Sequence, residues 1–246
     1  MIELSLIGIG TGNPQHLTLQ AVAALNDCDL ILIPNKGAGK DDLAGLRQEI
    51  CAQVLQAPGP KIVEFALPTR DPAITDYKAR VDHWHDAIAR IWTETLEANL
   101  PKGGRAGFLV WGDPSLYDST MRIAARLSDI KVAVVPGITS IQALTAAHAI
   151  PLNEIGEAVT ITTGRQLREQ GWPDSAETLV IMLDGECSFQ SVAPESVQIW
   201  WSAYAGMKEQ ISISGPLSEV SADILATREK ARADHGWIMD IYILRR

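Results

Sequence analysis

The chain has 246 residues, 46% hydrophobic and 21% charged, with a formal net charge of −9. This is ordinary globular composition, and the length suits one large domain or two small ones. The acidic balance argues against a general nucleic-acid surface, no apolar run approaches the roughly 20 residues of a membrane span, and Cys28, Cys51 and Cys187 are too scattered for a zinc set or a CxxC pair. They read as buried thiols. No basic region precedes the first apolar run, so we expect no signal peptide and a cytoplasmic protein.

Residues 4–9 read as a parallel-type strand that runs into a tight turn, Gly8-Ile9-Gly10-Thr11-Gly12-Asn13-Pro14. Leu17, Ala21, Ala24 and Leu25 then fall at helical spacing. A second strand over 30–33 ends at Pro34-Asn35-Lys36-Gly37. A polar-faced helix is expected from about Asp41 to Leu55, where Pro58-Gly59-Pro60 stops it. Residues 61–65 form a third strand candidate. After a loop over 67–72, a long helix runs over 77–99. A strand over 106–110 follows, then the turn Trp111-Gly112-Asp113-Pro114-Ser115-Leu116-Tyr117-Asp118-Ser119, then a helix over 120–127. Residues 131–135 make a fifth strand closed by Pro136-Gly137, and 138–149 a small apolar helix.

This alternation predicts a parallel sheet with helices on both faces. Beyond it, residues 158–162, 178–182, 197–201 and 210–214 are strand-like with fewer helices between them. A helix over 217–233 and a strand over 237–244 complete the chain. We therefore expect two α/β domains, the first with a parallel sheet and the second with a mixed sheet. The boundary is expected near Pro151-Leu152-Asn153, giving domains 1–150 and 151–246.

The turn at 111–119 is the centre of interest. Gly112 permits close approach of backbone, and Asp113 is a carboxylate at the end of a strand, where open α/β sheets bind ligands. Asp113 equally suits capping of a helix. The first turn carries Gly8-x-Gly10-x-Gly12, but Asn13 stands where a dinucleotide fingerprint needs glycine, and no ribose-binding acid ends the second strand. A nicotinamide cofactor is therefore disfavoured. His83 and His85 point to different helix faces, and no HExxH occurs, so no metal is expected. Trp200, Trp201 and Tyr204 suit either core packing or a flat apolar ligand. There is no GxSxG elbow.

Taken in order, Gly8-Ile9-Gly10-Thr11-Gly12-Asn13-Pro14 with Leu17-Thr18, Trp111-Gly112-Asp113-Pro114 and Pro136-Gly137-Ile138-Thr139-Ser140 resemble the tetrapyrrole (corrin/porphyrin) methyltransferases. Thr178-Leu179-Val180-Ile181-Met182 and Gly206-Met207-Lys208-Glu209-Gln210 are similar to landmarks of that family's second domain. The resemblance spans essentially the whole chain. It implies an S-adenosylmethionine-dependent enzyme with its active site in a cleft between two α/β domains. The cofactor contacts it implies are Pro14, Trp111, Gly112, Asp113, Leu116, Thr139, Ser140, Leu183 and Ala205. Leu183 replaces a common methionine and Ala205 a common glycine. The family also implies a small-molecule tetrapyrrole substrate and a homodimer, with no nucleic-acid, membrane or metal partner.

Several segments, among them Leu152-Asn153-Glu154-Ile155-Gly156 and Gly236-Trp237-Ile238-Met239-Asp240, are similar to the branch of that family that couples methylation of C1 of precorrin-5 to release of acetate in aerobic cobalamin synthesis. Methyl transfer needs no nucleophilic side chain, only alignment. Deacetylation benefits from a base and a donor to the developing oxyanion. Asp113, Tyr117, Asp184, Tyr204 and Asp240 are the candidates, each with a structural role as its alternative. For the polycarboxylate substrate the candidates are Arg165, Arg70 and Arg168, expected in loops, since guanidinium grips carboxylate at two points. The alternatives are methylation at another ring carbon and a non-catalytic tetrapyrrole-binding protein.

Overall fold

The computed structural model describes residues 1–35 and 42–246. The expected strand end at Lys36-Gly37 and helix start at Asp41 lie outside the described residues. The chain divides into two compact units, Met1–Ile138 and Thr139–Arg246.

The first unit runs β1 (Ile2–Gly8), α1 (Leu19–Asn26), β2 (Leu30–Asn35), α2 (Asp42–Val54), β3 (Lys61–Ala66), α3 (Tyr77–Asn99), β4 (Gly104–Val110), α4 (Thr120–Ala124) and β5 (Ile130–Val135). Among the described residues these strands form one sheet in the order β3-β2-β4-β1-β5, with every pair parallel. Because helices cover both faces, the interior strands read as near-continuous apolar runs. Residues 30–33 of β2 are all buried. Alternate side chains divide between two cores. Leu4, Leu6, Leu30, Leu32 and Phe108 meet α3 and α4, whereas Ile7, Ile31, Ile33 and Leu109 meet α1 and α2.

The long helix shows how the pattern becomes packing. Asp76 caps α3 by accepting from Ala79 N–H, which satisfies one donor of the open first turn. Ile88, Ala89, Trp92 and Leu96 then form one buried stripe. The Trp92 ring lies 4.6 Å from that of Phe108 on β4. Burying side chains of this size contributes about 1.5–3 kcal/mol each, and Pro101 prevents the helix from continuing.

The site follows from the order of connections. The chain leaves β1 toward α1 on one face and leaves the neighbouring β4 toward α4 on the other. Adjacent strands whose exits diverge leave a crevice at their carboxyl ends, which is where open α/β sheets bind ligands.

The second unit begins with α5 (Ser140–His148) and continues through β6 (Val159–Thr163), α6 (Gly164–Gln170), β7 (Thr178–Met182), β8 (Gln198–Ala203), β9 (Ile211–Pro216), α7 (Leu217–His235) and β10 (Asp240–Arg245). The sheet order is β6-β7-β10-β8-β9, with β6 and β7 parallel and the other pairs antiparallel. The expected mixed sheet is therefore present. Its register brings the carboxyl ends of β6, β7 and β8 to the same edge as the amino end of β10.

Three features differ from the sequence reading. The units part at Ile138, whereas the reading places the boundary at residue 150; α5 packs with the second sheet, and His148 Nε2 lies 3.1 Å from both Trp201 O and Ser202 Oγ. The helix α4 stops at Ala124 because Arg126 N–H and Leu127 N–H bond three residues back, tightening the last turn. The helix α6 has only Gly164 and Leu167 buried, too few apolar positions to show a period.

Candidate active site

In the first unit the turns after β1, β4 and β5 are joined through their backbones. Gly10 and Gly112 form an isolated antiparallel bridge: Gly112 N–H donates to Gly10 O at 2.8 Å and Gly10 N–H to Gly112 O at 3.3 Å. Gly112 also faces Gly137, where a Cβ would stand 2.0 Å from Gly112 O. A Cβ on Gly8 would stand 2.6 Å from Gly137 N. Gly8 at the end of β1 and the turn glycines Gly112 and Gly137 thus touch directly. This packing requires glycine at 8 and 137, where a Cβ would meet backbone atoms. Gly10 and Gly112 also hold left-handed φ values of 73° and 65°.

Asp113 completes the junction. Its Oδ2 accepts from Gly137 N–H at 2.8 Å, and its Oδ1 from Ser115 N–H at 2.8 Å and from Ser115 Oγ–H. Burial acts to raise this carboxyl's pKa, but the bonds from Ser115 and Gly137 outweigh it and hold it below the ordinary carboxylate value. The helix-capping reading of Asp113 is corrected: the N-cap of α4 is Ser119, and Asp113 instead braces its own turn against Gly137 at the carboxyl end of a central strand.

The remaining cofactor candidates of this turn set are well placed locally. Pro14 opens a short 3₁₀ helix, Pro14–His16, capped by Asn13 Oδ1 accepting from Gln15 N–H. The missing proline N–H costs nothing at a helix start. Trp111 follows β4 directly, and Arg47 of α2 lies 5.9 Å from its ring while Arg47 Nε–H donates to Leu109 O at 3.1 Å. Burial pushes the Arg47 guanidinium down to about 10, against the pull of Asp118. The sequence reading did not single out Arg47. Leu116 N–H donates to Asp113 O. Tyr117 has a left-handed φ of 49° and a side chain 43% exposed, and burial of its remainder raises its hydroxyl pKa. Thr139 caps α5 in a capping box with Gln142, and Ser140 is the first helical residue.

In the second unit the topology gathers its candidates at one sheet edge. Leu183, just past β7, has φ 52° and is 68% exposed. Asp184 beside it is buried. Its Oδ2 accepts from Tyr242 O–H at 2.7 Å and from Ser188 N–H; its Oδ1 accepts from Ser188 O–H at 2.7 Å, Glu186 N–H at 3.1 Å and Arg168 Nη1–H at 3.3 Å. Burial would raise this pKa, yet the Tyr242 and Ser188 bonds win and lower it.

Two further networks engage candidates named from the sequence. Asp240 pairs with Arg228, whose Nε–H reaches Oδ2 at 2.9 Å, and accepts from Trp201 Nε1–H at 3.0 Å. Arg228 also donates to Asp184 O at 3.2 Å. Tyr204, at φ 50°, is 2% exposed, and its hydroxyl donates to Trp237 O at 2.6 Å. Asp184, Asp240 and Tyr204 thus have structural partners for the very atoms that a base or donor would use. Ala205 is buried next to Tyr204.

Two of the arginines also move from their expected places. Arg165 and Arg168 lie in α6, not in a loop. Arg168 is tied to Asp184, Ser188 and Glu186. The helix can start where it does because Gly164 has no Cβ; one would stand 2.2 Å from Asp184 Oδ1. Arg70 is in the loop after β3, 4.7 Å from the Trp84 ring of α3.

The three cysteines are free and buried, and burial pushes Cys28 up to about 12 and Cys51 up to about 11. Such thiols are inert at neutral pH. Among the described residues no group of three or more His, Cys, Asp or Glu could hold a metal. Among them also, no helix is long and apolar enough to cross a membrane.

A parallel sheet with glycine-bridged turns at its carboxyl edge, followed by a mixed sheet, defines a class that comparison makes specific. The chain belongs to the tetrapyrrole (corrin/porphyrin) methylases, whose family model matches residues 3–221. It is 49% identical, over all of its length and 96% of the relative's, to precorrin-6A synthase [deacetylating] of Sinorhizobium sp.. A crystal structure of a cobalamin synthesis related protein (CobF) from Corynebacterium diphtheriae superposes with a TM-score of 0.85 at 40% identity, covering 100% of this chain and 98% of that one. A uroporphyrin-III C-methyl transferase from Thermus thermophilus, complexed with S-adenosyl homocysteine, shares the fold at a TM-score of 0.60 and 19% identity, covering 99% and 92%.

Proposed function

We propose that the chain methylates C1 of precorrin-5 with S-adenosylmethionine and releases the extruded acetyl group as acetate, giving precorrin-6A and S-adenosylhomocysteine in aerobic cobalamin biosynthesis. The observation that carries this reading is the end-to-end 49% identity to a precorrin-6A synthase, on a fold whose site turns are intact. We propose further that it works as a homodimer in the cytoplasm.

Support for the cofactor comes from the family to which the chain belongs and from the meeting of its turns. Three turns packed glycine on glycine give a rigid rim of backbone at the switch point of the sheet. Pro14, Trp111, Gly112, Asp113, Leu116, Thr139, Ser140, Leu183 and Ala205 are the residues we propose would hold the cofactor. When bound, S-adenosylmethionine supplies a methyl group on a sulfonium, activated for transfer to an electron-rich carbon.

The chain's own part in methylation is orientation, which in well-aligned reactions accounts for roughly 7–11 kcal/mol of barrier. In deacetylation, water adds to the acetyl carbonyl. The bond from that carbon to the macrocycle then breaks, and its electron pair stays on the macrocycle as acetate leaves. Tyr117 is the group we propose to donate to the carbonyl oxygen as charge develops. Burial raises its hydroxyl pKa, and the residue is partly exposed beside Asp113's turn. Asp113 holds the turn that carries it. Arg70 and Arg165 are the proposed grips for substrate carboxylates.

The test is a reaction with precorrin-5 and methyl-labelled S-adenosylmethionine, followed by mass spectrometry with acetate assayed in parallel. Labelled product with matching acetate supports the reading. Labelled product without acetate moves the methyl to another ring carbon. Cofactor binding with no label indicates a binding protein.

A further inference from the structure

The turn after β7 combines two opposites. Leu183 is a large aliphatic residue, 68% exposed, in a left-handed conformation at φ 52°. Exposure of such a side chain costs hydrophobic stabilisation, and the left-handed backbone costs roughly 1–2 kcal/mol for a residue with a Cβ. Strain of this kind persists only where the surroundings over-determine it. The neighbouring residue supplies that determination. Asp184 is buried and receives Tyr242 O–H from β10, Ser188 N–H and O–H from the following 3₁₀ turn, Glu186 N–H, and Arg168 from α6. Its own carbonyl oxygen is held by Arg228 of α7. Gly164 leaves room for the carboxylate against the first turn of α6. Three elements thus converge on one side chain and a fourth on its carbonyl oxygen, and the residue before it is exposed.

The geometry points to Asp184 as a positioning residue: it locks the 183–188 turn so that Leu183 stands as a fixed apolar contact for the bound cofactor, and it takes no proton during deacetylation. This rests on the cofactor reading given above. It also reverses the role that the sequence suggested for Asp184. A base needs an oxygen directed at water or substrate, whereas both oxygens here receive donors from the protein. Those donors also hold the carboxyl below the ordinary carboxylate range, which makes it a weak base.

The test is a double-mutant cycle read by binding of S-adenosylhomocysteine, with kinetics alongside. Wild type, Leu183→Ala, Asp184→Asn and the double variant are titrated by calorimetry. If wild type does not bind S-adenosylhomocysteine, the cofactor reading fails, and this proposal fails with it. If wild type binds, each single variant is expected to weaken binding by about tenfold, the scale of one contact or hydrogen bond. The double variant is expected to be no weaker than the worse single, because Asp184 acts through Leu183. The pH profile of kcat is expected to be the same in Asp184→Asn as in wild type. Multiplying losses in the double variant would overturn the proposal. So would a kcat collapse with unchanged binding and a lost acidic limb. Should Asp184→Asn fail to fold, Tyr242→Phe removes one donor to the same carboxylate, and its cycle with Leu183→Ala is read by the same criteria.

Discussion

Asp113 and Gly137 are joined across two turns, with Asp113 Oδ2 accepting the Gly137 N–H at 2.8 Å. Asp113 follows β4 and Gly137 follows β5, and β1 lies between those strands in the sheet. A single side chain therefore sets the spacing of turns on either side of the central strand. Replacing Asp113 by alanine leaves the Gly137 and Ser115 donors without this acceptor. We expect a loss of about 1–3 kcal/mol in stability and weaker S-adenosylhomocysteine binding. Asp113→Asn, which keeps one acceptor oxygen, should fall between. Urea denaturation and calorimetric titration of the three proteins check the order.

Gly137→Ala should be more damaging than its size suggests. The added methyl would lie 2.0 Å from Gly112 O and 2.9 Å from Gly8 Cα, and those are backbone atoms that cannot rotate away. The turns would have to part, so we expect a destabilisation above about 3 kcal/mol, in the range of severe overpacking. A melting temperature within a degree of wild type would show that the junction is softer than its geometry indicates.

The pair Arg228–Asp240 is almost wholly buried, with side chains 11% and 7% exposed. Removing one partner of such a pair strands the other charge in a poorly solvated place. Arg228→Met is therefore expected to cost about 3–5 kcal/mol. Adding Asp240→Asn should recover part of that loss. Chemical denaturation of the single and double variants measures both effects.

Much of this was legible in the sequence, and what was missed has a physical pattern. The alternation of strands and helices showed the parallel first sheet, since apolar runs such as 30–33 have only one environment that suits them. The approximate limits of α3 are legible because a long helical pattern meets a proline and two glycines at its end. The turns at 8–14, 111–114 and 136–137 stood out by composition. Their mutual contact did not, because which glycine faces which depends on strand order. Nor could the sequence show that Asp184, Asp240 and Tyr204 are already engaged. Their partners, Tyr242, Arg228 and Trp237, are 58, 12 and 33 residues away, and only the folded sheet brings them together. The helix α6 was hidden for another reason: its start depends on one glycine beside a distant carboxylate.

Acid sensitivity follows from the same carboxylates. Both Asp113 and Asp184 have pKa values lowered in the folded chain. A depressed folded pKa contributes stability that is fully present above the unfolded value, near 3.9, and is lost as pH falls through the folded value. Stability from these two groups should thus be flat from neutral pH to about 5 and fall below about 4. Asp184→Asn should be less stable at neutral pH and show a shallower acid limb. Urea unfolding measured across this range checks both.

Tyr204→Phe separates a structural hydroxyl from a catalytic one. The group donates to Trp237 O at 2.6 Å in a buried setting. Its removal should cost about 1 kcal/mol of stability and leave acetate release close to wild type. Tyr117→Phe should instead slow acetate release by about 10²-fold, the scale of one lost oxyanion donor.

The central claim is that methyl transfer and acetate release occur together on this chain. Its most direct test is the mass of the product formed from precorrin-5 and methyl-labelled S-adenosylmethionine, with acetate counted in the same reaction. We predict one labelled methyl per macrocycle and one acetate for each methyl transferred. A labelled product that keeps its acetyl group, or acetate released with no methyl gained, would contradict the account.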